Sequence, residues 1–312
     1  MGKKLEQAIA ILNGAVGDHL ARTDNGLATA MAWVSRGHEA AASPAKRVVV
    51  LVHGLMCTED IWAHEDGEDY GSLLARDLGF SPRYVRYNTG LSIPDNGASL
   101  SRLLAELVRD EPGIEEIVPL GYSMGGLVIR AACHEVAMKN EAAGAPQAGD
   151  WLSKVKKVIY VGTPHLGAPL ERVGRVLSKV LAAIPDPYTR LAAELVDLRS
   201  DGVKDLGDAD LRHEDRARRV ARLSLRDPRH PVPLLPSLQH YLVAGTLWGD
   251  VRLAGLLGDA VVPVPSSTNG ACIDAGTLAL PPSHVRLLEG VSHVVLPHDP
   301  RVYEHVKEWC AS

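Results

Sequence analysis

A serine lies in a GxSxG frame in the stretch GYSMGG at 121–126. Glycines two residues before and two residues after it let the backbone turn sharply from a strand into a helix, because neither has a side chain that would collide with the approaching chain. Such a turn presents the hydroxyl of Ser123, which makes this serine a candidate nucleophile. Because a frame with three fixed positions also occurs by chance, the flanking segments must support it.

Both flanks of Ser123 carry the pattern that such a turn needs. The upstream run 114–120 contains Ile117, Val118 and Leu120 and predicts a buried strand. The downstream segment has apolar residues at helical spacing, namely Leu127, Val128, Ala131, Ala132 and Val136. The sequence therefore places Ser123 at a strand-to-helix junction.

A serine hydroxyl is nearly unionised at neutral pH, so it needs an imidazole to take its proton and a carboxylate to fix the imidazole's tautomer. His293 directly follows the last predicted strand and precedes the C-terminal helix, so we expect it to be the base. Asp299 as N-cap and Pro300 at the first helical position predict the start of that helix, and His298, one residue before the cap, remains an alternative. His284 lies at the amino end of the last strand, on the wrong side of the sheet.

Two aspartates compete for the carboxylate position. Asp259 lies in the segment GDAVVP at 258–263, where a glycine precedes it and an apolar run anchors the loop after it. This environment leaves the carboxylate of Asp259 free to turn inward. Asp250, which is placed to cap a following helix, is the alternative.

The oxyanion of a tetrahedral intermediate needs backbone N–H donors close to the serine. Met124, the residue after the candidate nucleophile, supplies one of them. We expect Leu55 to supply the other, because the chain turns sharply at Gly54 after a buried strand. His53, at the end of that strand, is expected to form a structural hydrogen bond rather than to act in catalysis.

The elements that must position these residues alternate between strand and helix. The five aliphatic residues at 48–52 predict a strand buried on both faces. Helices at 71–79, at 100–108 and from residue 124 then alternate with strands at 83–87, 114–120 and 155–161, and the polar segment 139–150 predicts a surface loop. This alternation predicts an α/β fold with a mostly parallel, doubly wound sheet, whose ligands bind beyond the carboxyl ends of the strands. We divide the chain into a helical lead-in at 1–44, an α/β core at 45–165 and 239–312, and a helical insertion at 166–238 with amphipathic helices at 173–184, 190–198 and 211–223.

Composition excludes several other classes of protein. The 312 residues are 46% hydrophobic and carry a net charge of −5, so no overall positive field is available to attract nucleic acid. No segment has the roughly 18 apolar residues of a membrane span. The N-terminal residues lack the apolar core of a cleaved signal peptide, and the four cysteines form no CxxC pair. We expect a cytoplasmic protein, with secretion by another route left open; the oligomeric state is undetermined.

Together, the run 52–55, the elbow at 121–126, the stretch GTPHLG at 162–167, the segment GDAVVP and the late His293 resemble the α/β-hydrolase superfamily. The resemblance is to bacterial lipases and esterases and to the related α/β domain of GPI inositol-deacylases, over residues 46–170 and 239–310. It implies Ser123 as nucleophile, Asp259 as acid, His293 as base, and Leu55 and Met124 as oxyanion donors. It also implies that His165 is structural and that the insertion is a cap or lid.

The expected activity is hydrolysis of a small-molecule or lipid acyl ester through an acyl-enzyme, without a cofactor. Some of the lipases that the chain resembles bind a structural calcium, but no matching ligand set is found here. Two other readings remain: a binding protein that keeps the fold without the chemistry, and the same machinery acting on an amide, thioester or polyester bond.

Overall fold

A mixed sheet of seven strands forms the centre of the computed structural model, which describes residues 2–37, 45–64, 67–146, 150–166, 200–208, 210–212, 232–246 and 280–312. The strands are β1 (Ala32–Val34), β2 (Arg47–Val52), β3 (Ser81–Arg86), β4 (Glu116–Tyr122), β5 (Lys157–Val161), β6 (Gln239–Thr246) and β7 (Val285–Glu289). Their order in the sheet is β1-β3-β2-β4-β5-β6-β7. Only β1 runs antiparallel to its neighbour, and the pairs from β3 to β7 are parallel.

Helices cover both faces of this sheet. Those described are α1 (Lys3–Arg22), α2 (Tyr70–Leu78), α3 (Ile93–Asp110), α4 (Met124–Ala143), α5 (Asp201–Asp208) and α6 (Pro300–Ala311). Successive residues of β2 point to opposite faces: Val48, Val50 and Val52 pack with α3 and α4, whereas Val49 and Leu51 pack with α2 and α6. Burying each such side chain contributes about 1.5–3 kcal/mol, which explains why β2 is an unbroken aliphatic run.

Polar residues in the sequence fix where the helices begin. Asp69 accepts a hydrogen bond from the backbone N–H of Ser72, and the Ser72 hydroxyl accepts one from the N–H of Asp69, which closes a capping box at the start of α2. Ser92 caps α3, and Asp299 caps α6 with Pro300 behind it. The N-cap and proline signal expected at 299–300 is therefore present in the structure.

The boundaries of three elements differ from the sequence-based expectation. The lead-in predicted as largely helical contains α1 but also β1, which pairs with the outer edge of β3. Helix α3 begins at Ile93 rather than near residue 100, because the Ser92 cap starts it earlier. Helix α4 continues to Ala143 through a segment predicted as loop, since the residues at 139–143 are mostly good helix formers.

Most of the predicted insertion, including the helices at 173–184 and 190–198 and nearly all of the one at 211–223, lies outside the described residues. Within it the structure describes α5, which the sequence analysis did not predict. The buried carboxylate of Asp205 accepts a hydrogen bond of 2.9 Å from the N–H of Ile93, and the hydroxyl of Ser200 donates one of 2.7 Å to the carbonyl of Gly14. This part of the insertion is therefore joined to α3 and to α1.

Among the described residues, no helix has the length and apolar character required to cross a membrane.

Candidate active site

Ser123 occupies the turn between β4 and α4 in a backbone conformation that residues with side chains rarely adopt, with φ 51° and ψ −122°. Glycines make this turn possible. A Cβ on Gly121 would lie 2.6 Å from the backbone of Gly126, and one on Gly125 would collide with the carbonyl oxygens of Val52 and His53. The GxSxG frame is thus required by the close approach of three stretches of backbone.

The structure brings Ser123 and His293 together. Nε2 of His293 lies 2.9 Å from Oγ of Ser123, a hydrogen bond in which the hydroxyl donates when Nδ1 carries the ring proton. Both residues are largely buried, with exposed fractions of 7% for Ser123 and 5% for His293. A nucleophile and a base at this distance, 170 residues apart in sequence, form the central pair of the candidate site.

Two neighbours that the sequence analysis did not single out hold His293 in place. The hydroxyl of Tyr122 donates a hydrogen bond of 2.9 Å to the carbonyl of His293, and the two rings lie 5.2 Å apart. On another side, Gly162 packs so closely against the imidazole of His293 that a Cβ at this position would lie 3.1 Å from its Cε1. Tyr122 occupies one of the unspecified positions of the GxSxG frame, and Gly162 is the first residue of GTPHLG. Neither residue type indicates a contact with His293.

His298, the alternative base, and His53 each form a hydrogen bond away from Ser123. Nδ1 of His298 lies 2.9 Å from the carbonyl of Ala63, so that nitrogen carries a proton and donates it there. His53 uses Nδ1 in the same way toward the carbonyl of Gly54 at 2.9 Å, and its ring stacks on Tyr87. Burial lowers the pKa of His53 to about 4, which keeps the ring neutral. The structural hydrogen bond expected for His53 is present.

Both candidate oxyanion donors belong to segments that adjoin Ser123. Met124 is the first residue of α4, and the first N–H groups of a helix have no partner within it. The loop that carries Leu55 approaches the nucleophile at Gly54, where a Cβ would lie 3.1 Å from Cβ of Ser123. The structure therefore places both predicted donors in segments next to Ser123, and their assignment as oxyanion donors stays a prediction.

Asp259, the predicted acid, and its alternative Asp250 both lie outside the described residues, so their assignment stays a prediction. Within the part of the chain that the structure describes, no cluster of three or more His, Cys, Asp or Glu side chains is arranged to hold a metal ion.

Arg130, which follows Ser123 by seven residues on α4, is buried. Its Nη1 lies 2.9 Å from Nδ1 of His165 and donates to the carbonyl of His165 at 3.2 Å, while its Nη2 donates to the carbonyl of Val232. Burial and the adjacent guanidinium hold the pKa of His165 well below its usual range, so this ring is neutral and accepts. Arg130 thus holds both ends of the segment between residues 165 and 232.

The polar network continues from His165 to the neighbouring strands. The ring of Tyr160 packs edge-on against His165, and its hydroxyl lies 3.2 Å from Nδ1 of His240. Nε2 of His240 in turn donates to the carbonyl of Leu235 at 3.0 Å. Burial, more than any other influence, lowers the pKa of His240 to about 4. His165 therefore has the structural role expected from the sequence.

Comparison with known proteins agrees with this architecture. The model of the alpha/beta hydrolase family matches residues 49–306, so the chain belongs to that family. The mature lipase BlEst2 of Bacillus licheniformis shares the fold with a TM-score of 0.54 and 17% sequence identity, over 90% of this chain and 98% of that one. A carboxylesterase structure from the thaumarchaeon Nitrososphaera gargenis gives a TM-score of 0.50 and 14% identity over 90% and 94% of the two chains. No curated protein matches the sequence.

The predicted α/β-hydrolase fold is therefore confirmed. At these identities the two solved structures bear on the fold alone, and the roles of individual residues rest on the geometry described above.

Replacing Arg130 with methionine should destabilise the protein. The variant leaves the carbonyls of His165 and Val232 and Nδ1 of His165 without their donor, and since each such loss costs about 1–3 kcal/mol, we expect the free energy of unfolding to fall by about 2–4 kcal/mol. Urea unfolding measures the change. Arg102→Met, at an exposed arginine of α3, is the matched control and should unfold like the wild type. Equal stability of the two variants would contradict the role of Arg130.

Proposed function

We propose that this protein is a serine carboxylic-ester hydrolase that works through an acyl-enzyme. The observation that carries the proposal is the 2.9 Å contact between Oγ of Ser123 and Nε2 of His293, at a turn that holds the serine in a strained backbone conformation. A neutral imidazole at this distance accepts the hydroxyl proton as the oxygen attacks. Membership of the alpha/beta hydrolase family supports the same chemistry.

In the acylation step Oγ of Ser123 attacks the carbonyl carbon of the ester, and Nε2 of His293 takes the hydroxyl proton. The carbonyl oxygen becomes an oxyanion, which accepts hydrogen bonds from the N–H groups of Leu55 and Met124. The intermediate then expels the alcohol, which leaves with the proton from His293. In this proposal Asp259 holds the imidazole in its reactive tautomer and stabilises the imidazolium.

Deacylation repeats these steps with water in place of the alcohol. His293 takes a proton from water, the resulting hydroxide attacks the acyl carbon, and the proton returns to Oγ of Ser123 as the carboxylic acid leaves. The hydrogen bond from the Tyr122 hydroxyl to the carbonyl of His293 fixes the backbone of the base throughout both half-reactions. The substrate class is a small-molecule or lipid acyl ester.

Ser123→Ala tests the nucleophile. We expect kcat on a chromogenic acyl ester to fall by about 10⁴–10⁶-fold, because the remaining site retains only binding and oxyanion stabilisation. A fluorophosphonate should label the wild type once per chain, with loss of fluoride, and leave the variant unlabelled. Ser99→Ala, at a serine of α3 that bonds within its own helix, is the control and should keep full activity. Near-normal hydrolysis by Ser123→Ala would disprove the assignment.

A paired substitution distinguishes the two candidate carboxylates. Asp259→Asn should lower kcat by about 10⁴-fold, since an amide holds the imidazole in the wrong tautomer. Asp250→Asn should leave kcat close to that of the wild type, and each variant is the control for the other. Ester hydrolysis at saturating substrate measures both. The reverse pattern would assign the acid to Asp250.

The bond and the acyl group are tested with a series of substrates. We expect the wild type to hydrolyse p-nitrophenyl esters, and we compare acyl chains of increasing length with a matched anilide and an emulsified triglyceride. Loss of turnover beyond short acyl chains identifies an esterase, and turnover of the emulsion identifies a lipase. Faster turnover of the anilide would favour an amidase. A wild type that turns over none of these substrates and resists fluorophosphonate would favour the binding protein.

A further inference from the structure

Helix α1 packs directly against the loop that carries the candidate oxyanion donor Leu55. The side chain of Met56, the next residue in this loop, is buried in a cluster with Ile11, Ala15, Val16 and Leu20 of α1. A Cβ on Gly14 would collide with the Met56 side chain, so this glycine forms the seat into which Met56 fits. The contact requires a small residue at this position of α1.

The backbone of Met56 is strained and is held from two sides. Its φ is 60°, in the left-handed region that residues with side chains rarely adopt. Its N–H donates to the hydroxyl of Thr89 at 3.1 Å, and its carbonyl accepts from Nε2 of Gln7 at 3.1 Å. Strain of this kind persists only where the surroundings over-determine it. Gln7 supplies one of the two hydrogen bonds that do so.

A partly buried ion network joins α1 to the same segment a few residues further on. Arg86 of β3 donates to Glu6 of α1 at 2.9 Å and also pairs with Glu59, which begins a short 3₁₀ turn. Glu6 and Gln7 are adjacent in α1 and bind the segment 56–59 through different partners. The loop therefore has two independent attachments to the N-terminal helix.

The direction of the Leu55 N–H depends on these attachments. The chain between Gly54, which contacts Ser123, and the fixed backbone of Met56 contains only Leu55. Turning the peptide of Leu55 would require either Gly54 to leave the nucleophile or Met56 to leave its two side-chain partners. The position of the oxyanion donor is consequently set from α1 as well as from the sheet.

We propose that Gln7, with the seat that α1 forms for Met56, positions the oxyanion donor Leu55. Gln7 is a positioning residue: it touches neither substrate nor reacting atoms and acts through the carbonyl of Met56. This inference rests on the proposed hydrolase function and deepens it, because it makes the N-terminal helix part of the catalytic apparatus. Loosening the loop should weaken transition-state binding more than substrate binding.

Gln7→Glu provides the test, because it keeps the shape of the side chain and removes the N–H donor. We expect kcat on a chromogenic ester to fall by about tenfold with KM nearly unchanged, a fraction of the 10²–10³-fold that loss of a whole oxyanion donor costs. Affinity for a trifluoromethyl ketone, which adds to the serine and forms an oxyanion, should fall by the same factor. Gln7→Lys, which retains a donor, should recover part of the loss. Lys4→Ala on the exposed side of α1 is the control.

Thr89→Val tests the same role independently, through kcat and KM on the same ester, if Gln7→Glu folds poorly. It removes the acceptor of the Met56 N–H and should likewise lower kcat rather than raise KM. Because both side chains fix the same residue, the double variant should lose less activity than the product of the two single losses. Independent, multiplicative losses would contradict a shared role at Met56.

The outcomes separate this inference from the proposed function. An active wild type with an unchanged kcat in Gln7→Glu overturns the positioning role and leaves the hydrolase intact. A loss of kcat that merely follows a loss of folded protein, as measured by urea unfolding, also overturns it. A wild type without ester hydrolysis or fluorophosphonate labelling contradicts the proposed function, and the inference with it.

Discussion

The sharp turn at Ser123 is the constraint around which the neighbouring segments are arranged. A residue held in such a conformation costs about 1–3 kcal/mol, which the surroundings must offset. The N–H of Ser123 donates to the carbonyl of Val161 at 2.8 Å, and its carbonyl accepts from Gly126 at 3.1 Å. These bonds tie the turn to β5 on one side and to the first turn of α4 on the other. The serine is consequently fixed by the centre of the sheet rather than by a surface loop.

The same turn joins the two faces of the sheet. Tyr122 packs with the side chains that cover the α2 and α6 face, whereas Met124 belongs to the core beneath α3 and α4. The candidate base approaches from the first of these faces, where Tyr122 holds its carbonyl, and the candidate oxyanion donors adjoin the second. Ser123 lies between them because strand residues alternate in direction and the helix begins immediately afterwards.

The sequence predicts those parts of this arrangement that depend on local pattern. The aliphatic run of β2, the glycines of the elbow and the cap at Asp299 each determine their own segment, and all three are present. Contacts between distant segments produce no such local pattern in the sequence. Nothing in the types of Tyr122 and His293 indicates a hydrogen bond across 171 residues, and the helical pattern of α1 predicts an amphipathic helix without indicating that it seats Met56. β1 forms because the outer edge of β3 is open to pairing, and the three residues of β1 by themselves do not indicate that partner.

Arg130 shows how a residue can serve the fold without an opposite charge. A guanidinium buried with no carboxylate partner among the described residues pays a large desolvation cost, and burial accordingly lowers the pKa of Arg130. The planar guanidinium recovers part of this cost by binding three fixed acceptors at once, two carbonyls and a neutral imidazole, which a lysine ammonium on a flexible stem would match less well. Because Arg130 lies about two helical turns from Ser123, the chain at residues 165 and 232 is held at a fixed position relative to the nucleophile.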